Sequence, residues 1–258
     1  MKDVQNQYDP RKIPLDKVGI EDLLYPIRVM DRANVLQHTT ARVKLAVELP
    51  HNFRGTHMSR FVEVLNKHSN NITLQNIEDI LDELKKVLKA EKAYLELEFP
   101  YFIKKKAPVS RLESYMNYLC KFIASKGTEF DFVLEVNVPV HTLCPCSKEI
   151  SERGAHNQRA EVQIQVRTLK LVWIEELVEI AESSASSPLF ALLKRVDEQH
   201  VTERAYDTPR FVEDVAREVA IKLNKDPRIL WYKINVKSYE SIHNHNAFAC
   251  LEVDKRKR

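Results

Sequence analysis

Two thiols, an imidazole, a glycine and two cations fall together in Cys144-Pro145-Cys146-Ser147-Lys148-Glu149 and Gly154-Ala155-His156-Asn157-Gln158-Arg159. Thiolate and imidazole form the ligand set that a borderline-soft ion such as zinc prefers. A strand-like run precedes this stretch and another follows it. That predicts a loop at the mouth of a sheet, where site residues concentrate. The pattern reads as half of a metal-dependent active site. Taken singly, each residue keeps a blander reading. A cysteine at a strand end also serves as a small buried hydrophobe. Cys146 binds metal, packs, or oxidises with Cys144, and Pro145 constrains the path between them. His156 has no apolar face to pack into and is otherwise a surface imidazole.

A second cluster is Glu240-Ser241-Ile242-His243-Asn244-His245-Asn246. Its two histidines point to one side of a strand or turn. A carboxylate beside imidazole suits proton transfer near neutral pH; the plain alternative is a polar hairpin. A third, Asp197-Glu198-Gln199-His200-Val201-Thr202-Glu203-Arg204, reads as a charged loop. Glu213 falls in the first turns of a predicted helix, where an acid meets the helix dipole favourably and needs no other explanation.

The elements that must hold these residues follow from periodicity. Residues 1–28 read as an arm interrupted by Pro10, Pro14 and Pro26. Val43, Leu45, Val47 and Leu49 alternate with polar neighbours as a strand ending at Pro50. A short helix is predicted after Ser59. A longer one starts near Thr73, with Leu74, Ile77, Ile80, Leu81, Leu84, Val87 and Leu88 on one face. Strands follow at Leu95–Phe99, at about 113–123 and at about 130–140, with Gly127 as a hairpin turn. Val162, Ile164 and Val166 mark another strand. Ile174, Leu177, Val178 and Ala181 face inward from a helix over 172–182, which the run from Ser183 to Ser187 and Pro188 ends. Thr208-Pro209 then opens a helix, Thr208 as cap and Pro209 in the first turn. Its apolar face is Val212, Val215, Ala216, Val219 and Leu223, and Pro227 stops it. Strands at 230–239 and 247–253 close the chain. Both halves read as antiparallel strands around a helix pair, which predicts an α+β protein of two similar modules. The boundaries are an arm at 1–28, a first unit at 29–127, and a second unit at 128–258 carrying most of the site.

Composition narrows the classes. The 258 residues are 44% hydrophobic and 30% charged, as in ordinary globular proteins. No apolar run approaches eighteen residues, so no membrane span or membrane partner is expected. The polar N-terminus lacks a signal-peptide core, and the 4 cysteines read as reduced thiols in a cytoplasm. A net charge of +3 is too balanced for a dedicated nucleic-acid binder, and the basic tail Lys255-Arg256-Lys257-Arg258 reads as solvated. With 4 glycines there is no phosphate-cradling glycine loop, so any phosphate must meet side chains or helix N-termini.

The joint occurrence of these segments is more specific than any one of them. Leu143 to Ser151, Gly154 to Arg159, Val201-Thr202-Glu203-Arg204-Ala205-Tyr206-Asp207, Phe211-Val212-Glu213-Asp214 and Glu240 to Ala247 resemble the GTP cyclohydrolases of prokaryotic type IB. So does Gly55-Thr56-His57-Met58-Ser59-Arg60-Phe61 in the N-terminal half. The resemblance runs from about residue 38 to 253, and the first thirty or so residues add nothing to it. It implies tandem tunnelling-fold (T-fold) units, antiparallel sheets with paired helices that close into barrels through oligomerisation. It also implies a homotetramer with active sites at subunit interfaces. The implied reaction converts GTP and water to 7,8-dihydroneopterin triphosphate and formate, the entry to pterins and tetrahydrofolate. The implied cofactor is a divalent metal, with zinc, manganese and iron(II) all open, held by Cys144, His156 and Glu198. Glu203 competes with Glu198 for the third place. His243 and His245 would move protons, with Glu240 orienting or sharing one, and Glu213 would anchor guanine through its N1–H and exocyclic amine. Lys148, Arg159, Arg204 and Arg60 are the candidate triphosphate cations. Three rivals remain: an archaeal-type cyclohydrolase giving a cyclic phosphate, a metal-free nitrile reductase using Cys144 as nucleophile, and a structural zinc module. The last lacks a closed four-ligand pattern.

Overall fold

In the computed structural model, residues 5, 7–68 and 76–257 are described. The helix start placed at Thr73 and Leu74, most of the polar N-terminus and Arg258 of the basic tail lie outside them. The strands are β1 Leu15–Asp31, β2 Val35–Leu49, β3 Ala93–Lys106, β4 Glu113–Lys126, β5 Phe130–Leu143, β6 Asn157–Thr168, β7 Ser187–Pro188, β8 Ile229–Ser238 and β9 Ala247–Asp254. The helices are α1 Met58–Lys67, α2 Ile77–Leu88, α3 Pro145–Ile150, α4 Ile174–Glu182, α5 Arg195–Asp207 and α6 Val212–Lys225. Hydrogen bonding links the strands in the order β1-β2-β3-β4-β5-β6-β8-β9, with β7 on β5. The expected pair of separate sheets, each with its own two helices, is therefore corrected to a single antiparallel sheet carrying few helices. Gly127 turns β4 into β5 as its hairpin reading expects, its N–H donating to the Glu129 carbonyl at 3.1 Å.

By contacts the chain divides into one unit of Met1–Pro100 with Lys121–Val133 and another of Tyr101–Cys120 with Leu134–Arg258. In the first, β1 covers much of the stretch expected to be an arm. Proline suits it because β1 is the last strand on its side of the sheet, where a missing N–H breaks no ladder. Its register slips between Leu15 and Val18 and between Ile20 and Leu23, which hides the alternation. Val43, Leu45 and Val47 of β2 and Leu95, Leu97 and Phe99 of β3 are buried, as are Phe61, Val64 and Leu65 of α1 and Ile77, Ile80, Leu81 and Leu84 of α2. These spacings bury one stripe of each helix.

The second unit carries the ladder that matters for the site. β5 pairs with β6 from Leu134↔Val166 to Leu143↔Asn157, and β6 with β8 from Ala160↔Ser238. Val212, Val215, Ala216, Val219, Ala220 and Leu223 are the buried stripe of α6, which packs on β8 and β9. Two expectations fail here. The charged run from Asp197 is the helix α5, and Thr208 closes that helix instead of capping the next. The α6 N-cap is Phe211, whose N–H donates to Asp214 Oδ2 at 3.0 Å. Only Asp197 and Ala205 of α5 are buried, so no apolar stripe announces it. Pro209 and Arg210 cross between the two helices because the Arg210 N–H donates to the Leu143 carbonyl at 3.0 Å.

Candidate active site

Cys144 and His156 meet where the β5–β6 ladder ends. Beyond the last pair, Leu143↔Asn157, the Cys144 N–H donates to the His156 carbonyl at 3.1 Å. The expected loop is here a short helix: Cys144 is the N-cap of α3, with Pro145 in its first turn. Proline suits that place because its missing N–H would have no helical partner. The Ser147 N–H points at Cys144 Sγ at 3.5 Å. Ser147 Oγ donates to the Cys144 carbonyl at 3.3 Å and accepts the His156 N–H at 3.1 Å. One serine thus fastens both candidate ligands. Gly154 allows the return to β6, since its φ of +89° is one that a side chain strains.

His156 Nδ1 lies 3.0 Å from Gln158 Oε1. With the amide oxygen as acceptor, this contact suits the tautomer that carries its proton on Nδ1, the one whose Nε2 can bind a metal. Ser241 Oγ donates to the same Gln158 oxygen at 3.4 Å, and the Tyr239 N–H donates to the Arg159 carbonyl at 2.9 Å. These bonds bring the segment from Glu240 to Asn246 to the His156 corner. Glu240 there is half-buried; His243 and His245 are exposed, with their rings stacked at 5.0 Å between centroids. The C-terminal end of α5 arrives at the same corner. Lys148 Nζ donates to the Tyr206 carbonyl and lies 4.2 Å above the Tyr206 ring.

The remaining predicted residues are less gathered. Glu213 is exposed at the second position of α6, close in sequence to the Arg210–Leu143 bond. Arg159 is exposed beside the corner on β6, and Arg204 is exposed in the last turn of α5. Arg60, in the first unit, donates from Nη1 to the Val87 carbonyl at 3.0 Å. Glu198 is exposed in the first turn of α5, whereas Glu203 accepts a bond from Gln199 Nε2 at 2.8 Å. Among the described residues of one chain, no three thiol, imidazole or carboxylate groups converge as an ion site. Cys144 and His156 fit a metal as one sulfur and one nitrogen donor, the nitrogen oriented by an amide behind it. Asp197, the neighbour of Glu198, is fully buried. Burial opposes its ionisation, but the Ser110 hydroxyl and the amides of Ser110, Lys194 and Val109 outweigh it and hold the carboxyl far below the usual range.

Ser147, Gln158 and Asp197 fall within the motif segments without an expected role, and His141 lies outside them. His141, opposite Arg159 on β5, has Nε2 3.0 Å from Asn157 Oδ1. The even spacing of His141 and Leu143 along a strand was the available signal for its position. Nothing local distinguishes Asp197 from the other acids of its run.

Comparison with solved structures defines the class first. Urate oxidase from Bacillus sp. TB-90 superposes with a TM-score of 0.56 at 11% identity, covering 93% of this chain and 100% of that one. A uricase from Bacillus fastidious gives 0.55 at 10%, covering 96% and 95%. At such identities the likeness shows fold alone. It corrects the expectation of tunnelling-fold units with paired helices: the fold is one large antiparallel sheet with few helices, like that of urate oxidase, with a thiol–imidazole corner at a strand end. Sequence comparison then gives the family. A family profile described as Type I GTP cyclohydrolase folE2 matches residues 1–249. The chain is 58% identical over 255 residues to GTP cyclohydrolase FolE2 of Kosmotoga olearia, covering 99% of each. It is 60% identical over 253 residues to that of Thermosipho melanesiensis, covering 98% of each. The chain belongs to the type I GTP cyclohydrolase FolE2 family. The match takes in the N-terminal stretch that the motifs left out.

Proposed function

We propose that this GTP cyclohydrolase carries out metal-dependent hydrolysis and rearrangement of GTP to 7,8-dihydroneopterin triphosphate and formate, the first step toward pterins and tetrahydrofolate. The observation that carries this is the Cys144–His156 corner, in which the backbone and Ser147 fasten both residues and Gln158 engages the ring at Nδ1. Cys144 and His156 hold the divalent ion together with Glu198. When bound, the ion lowers the pKa of water and polarises the attacked carbon. A mixed sulfur, nitrogen and oxygen set admits zinc, manganese or iron(II).

The chain's own residues do the rest. The exposed Glu213 carboxylate accepts the guanine N1–H and exocyclic amine, a paired recognition that adenine cannot supply. The stacked His243 and His245 accept and return protons as C8 leaves as formate and the ribose rearranges, and Glu240 orients or shares that proton. Lys148, Arg159 and Arg204 hold the triphosphate. Self-association into a homotetramer brings ligands of separate chains together. The test is GTP turnover by chelated and then metal-restored protein, followed by formate release, pterin fluorescence and product mass. Cys144→Ala is expected to abolish turnover with the fold intact. Full activity of that variant removes the ligand role, and a cyclic phosphate mass overturns the linear product.

A further inference from the structure

Helix α5 presents two acids in succession, and the structure treats them oppositely. Asp197 has no exposed surface, while Glu198 is exposed. Asp197 Oδ1 accepts the N–H groups of Val109 and Ser110, each at 2.8 Å. Oδ2 accepts the Ser110 hydroxyl at 2.6 Å and the Lys194 N–H at 2.9 Å. Both oxygens are filled, so this carboxylate has no lone pair left for an ion or substrate. Three of the four bonds come from the turn between β3 and β4, itself closed by the Ala107 N–H donating to the Leu112 carbonyl at 2.9 Å. The fourth caps the helix from Lys194. Ala205 is the only other buried residue of α5, so apolar packing does little to fix the orientation of its first turn.

We propose that Asp197 is a positioning residue: it clamps the first turn of α5 to the β3–β4 turn and thereby sets where the Glu198 carboxylate stands. This rests on the assignment of Glu198 as a metal ligand. Groups that orient a ligand in this way typically change metal affinity by about 10–100-fold when removed. Asn in place of Asp197 keeps the size but turns one acceptor into a donor. That donor faces either the Lys194 N–H or the amides of the turn, so the clamp is broken.

The test uses the full chain loaded with Co2+, whose visible ligand-field bands report the ligand set and whose sulfur-to-metal band reports Cys144. Glu198→Gln should weaken Co2+ binding in chelator competition and shift the ligand-field bands while the sulfur band stays. Asp197→Asn should do the same, with Co2+ affinity down about 10–100-fold in protein shown folded by circular dichroism. Ser110→Ala, which removes one bond of the four, should give a smaller shift in the same direction. If Asp197→Asn lowers the melting temperature but keeps wild-type affinity and spectrum, the clamp is only structural and the proposal falls, Glu198 being untouched. If Glu198→Gln itself leaves both unchanged, the ligand assignment falls and takes the proposal with it. Should Asp197→Asn not fold, Ser110→Ala decides alone: a shifted spectrum supports the clamp, and a wild-type one overturns it.

Discussion

Replacing Gln158 by methionine should separate ligand orientation from folding. The side chain keeps its length and loses its only acceptor. Two bonds disappear, from His156 Nδ1 at 3.0 Å and from Ser241 Oγ at 3.4 Å. A neutral hydrogen bond contributes about 1 kcal/mol net, and the longer one at an exposed serine less. Global stability should therefore fall by about 1 kcal/mol. The effect on metal should be larger. Without the amide, nothing engages Nδ1, and the ring is free to rotate away from the orientation that presents Nε2. Losing such a partner weakens metal binding about 10–100-fold, or about 1.4–2.7 kcal/mol. Gln158→Glu keeps an acceptor and should bind metal at least as tightly as the wild type. Chelator competition with Zn2+ and thermal melts of the metal-free protein measure the two quantities separately. Wild-type zinc affinity in Gln158→Met would refute the reasoning, and so would equal losses in the Met and Glu variants.

Glu213→Ala should raise the dissociation constant for GTP roughly ten- to a hundredfold, since hydrogen bonds to a charged group are strong. Metal content should not change; unchanged GTP affinity in calorimetry would discredit the anchor. Stability should fall in acid through the Arg228 cluster. Asp226 is held below its ordinary value by the Arg228 side chain, and Glu176 is too, Arg228 outweighing the opposing effect of burial. Because the folded pKa values are depressed, the unfolded chain protonates first, at about 4. The stabilisation is whole above that range and is lost as pH falls through the folded values. Urea midpoints from pH 7 to 3 should drop more steeply for the wild type than for Arg228→Met, and parallel curves would count against the cluster. A side chain at Gly19 would meet the Leu45 carbonyl oxygen at 1.8 Å, whereas at Gly55 the nearest atom is Gln5 Cγ at 3.6 Å. Gly19→Ala should therefore destabilise by at least about 1–3 kcal/mol, with Gly55→Ala close to neutral. Denaturant titration of the pair checks this, and equal stabilities would be inconsistent with the β1–β2 approach.

Alternation and helical stripes are local properties of the chain, and they were enough for β2, β3, β5, β6, α2, α4 and α6. Each of these buries one face, and burial selects the residue types at that period. The same logic explains the failures. β1 carries two register shifts and a proline at the sheet edge, so no clean period survives. α5 is held by hydrogen bonds to one carboxylate instead of an apolar stripe, and its composition is that of a loop. Thr208-Pro209 has the local chemistry of a helix start, but the Arg210–Leu143 bond pulls the next residues into a crossing and moves the cap to Phe211.

At the site, residue types and their spacing make Cys144 and His156 candidate ligands, because sulfur and imidazole nitrogen are the donors a borderline-soft ion prefers. The family, too, was legible in the motifs alone. That both groups share one corner, with Ser147 behind them and Gln158 at Nδ1 of the imidazole, depends on the β5–β6 register and on how β8 returns to Arg159. Whether the strands form two sheets or one is likewise a matter of long-range pairing, to which local sequence is blind: every strand offers the same backbone donors and acceptors, and only the assembled chain decides which neighbour takes them.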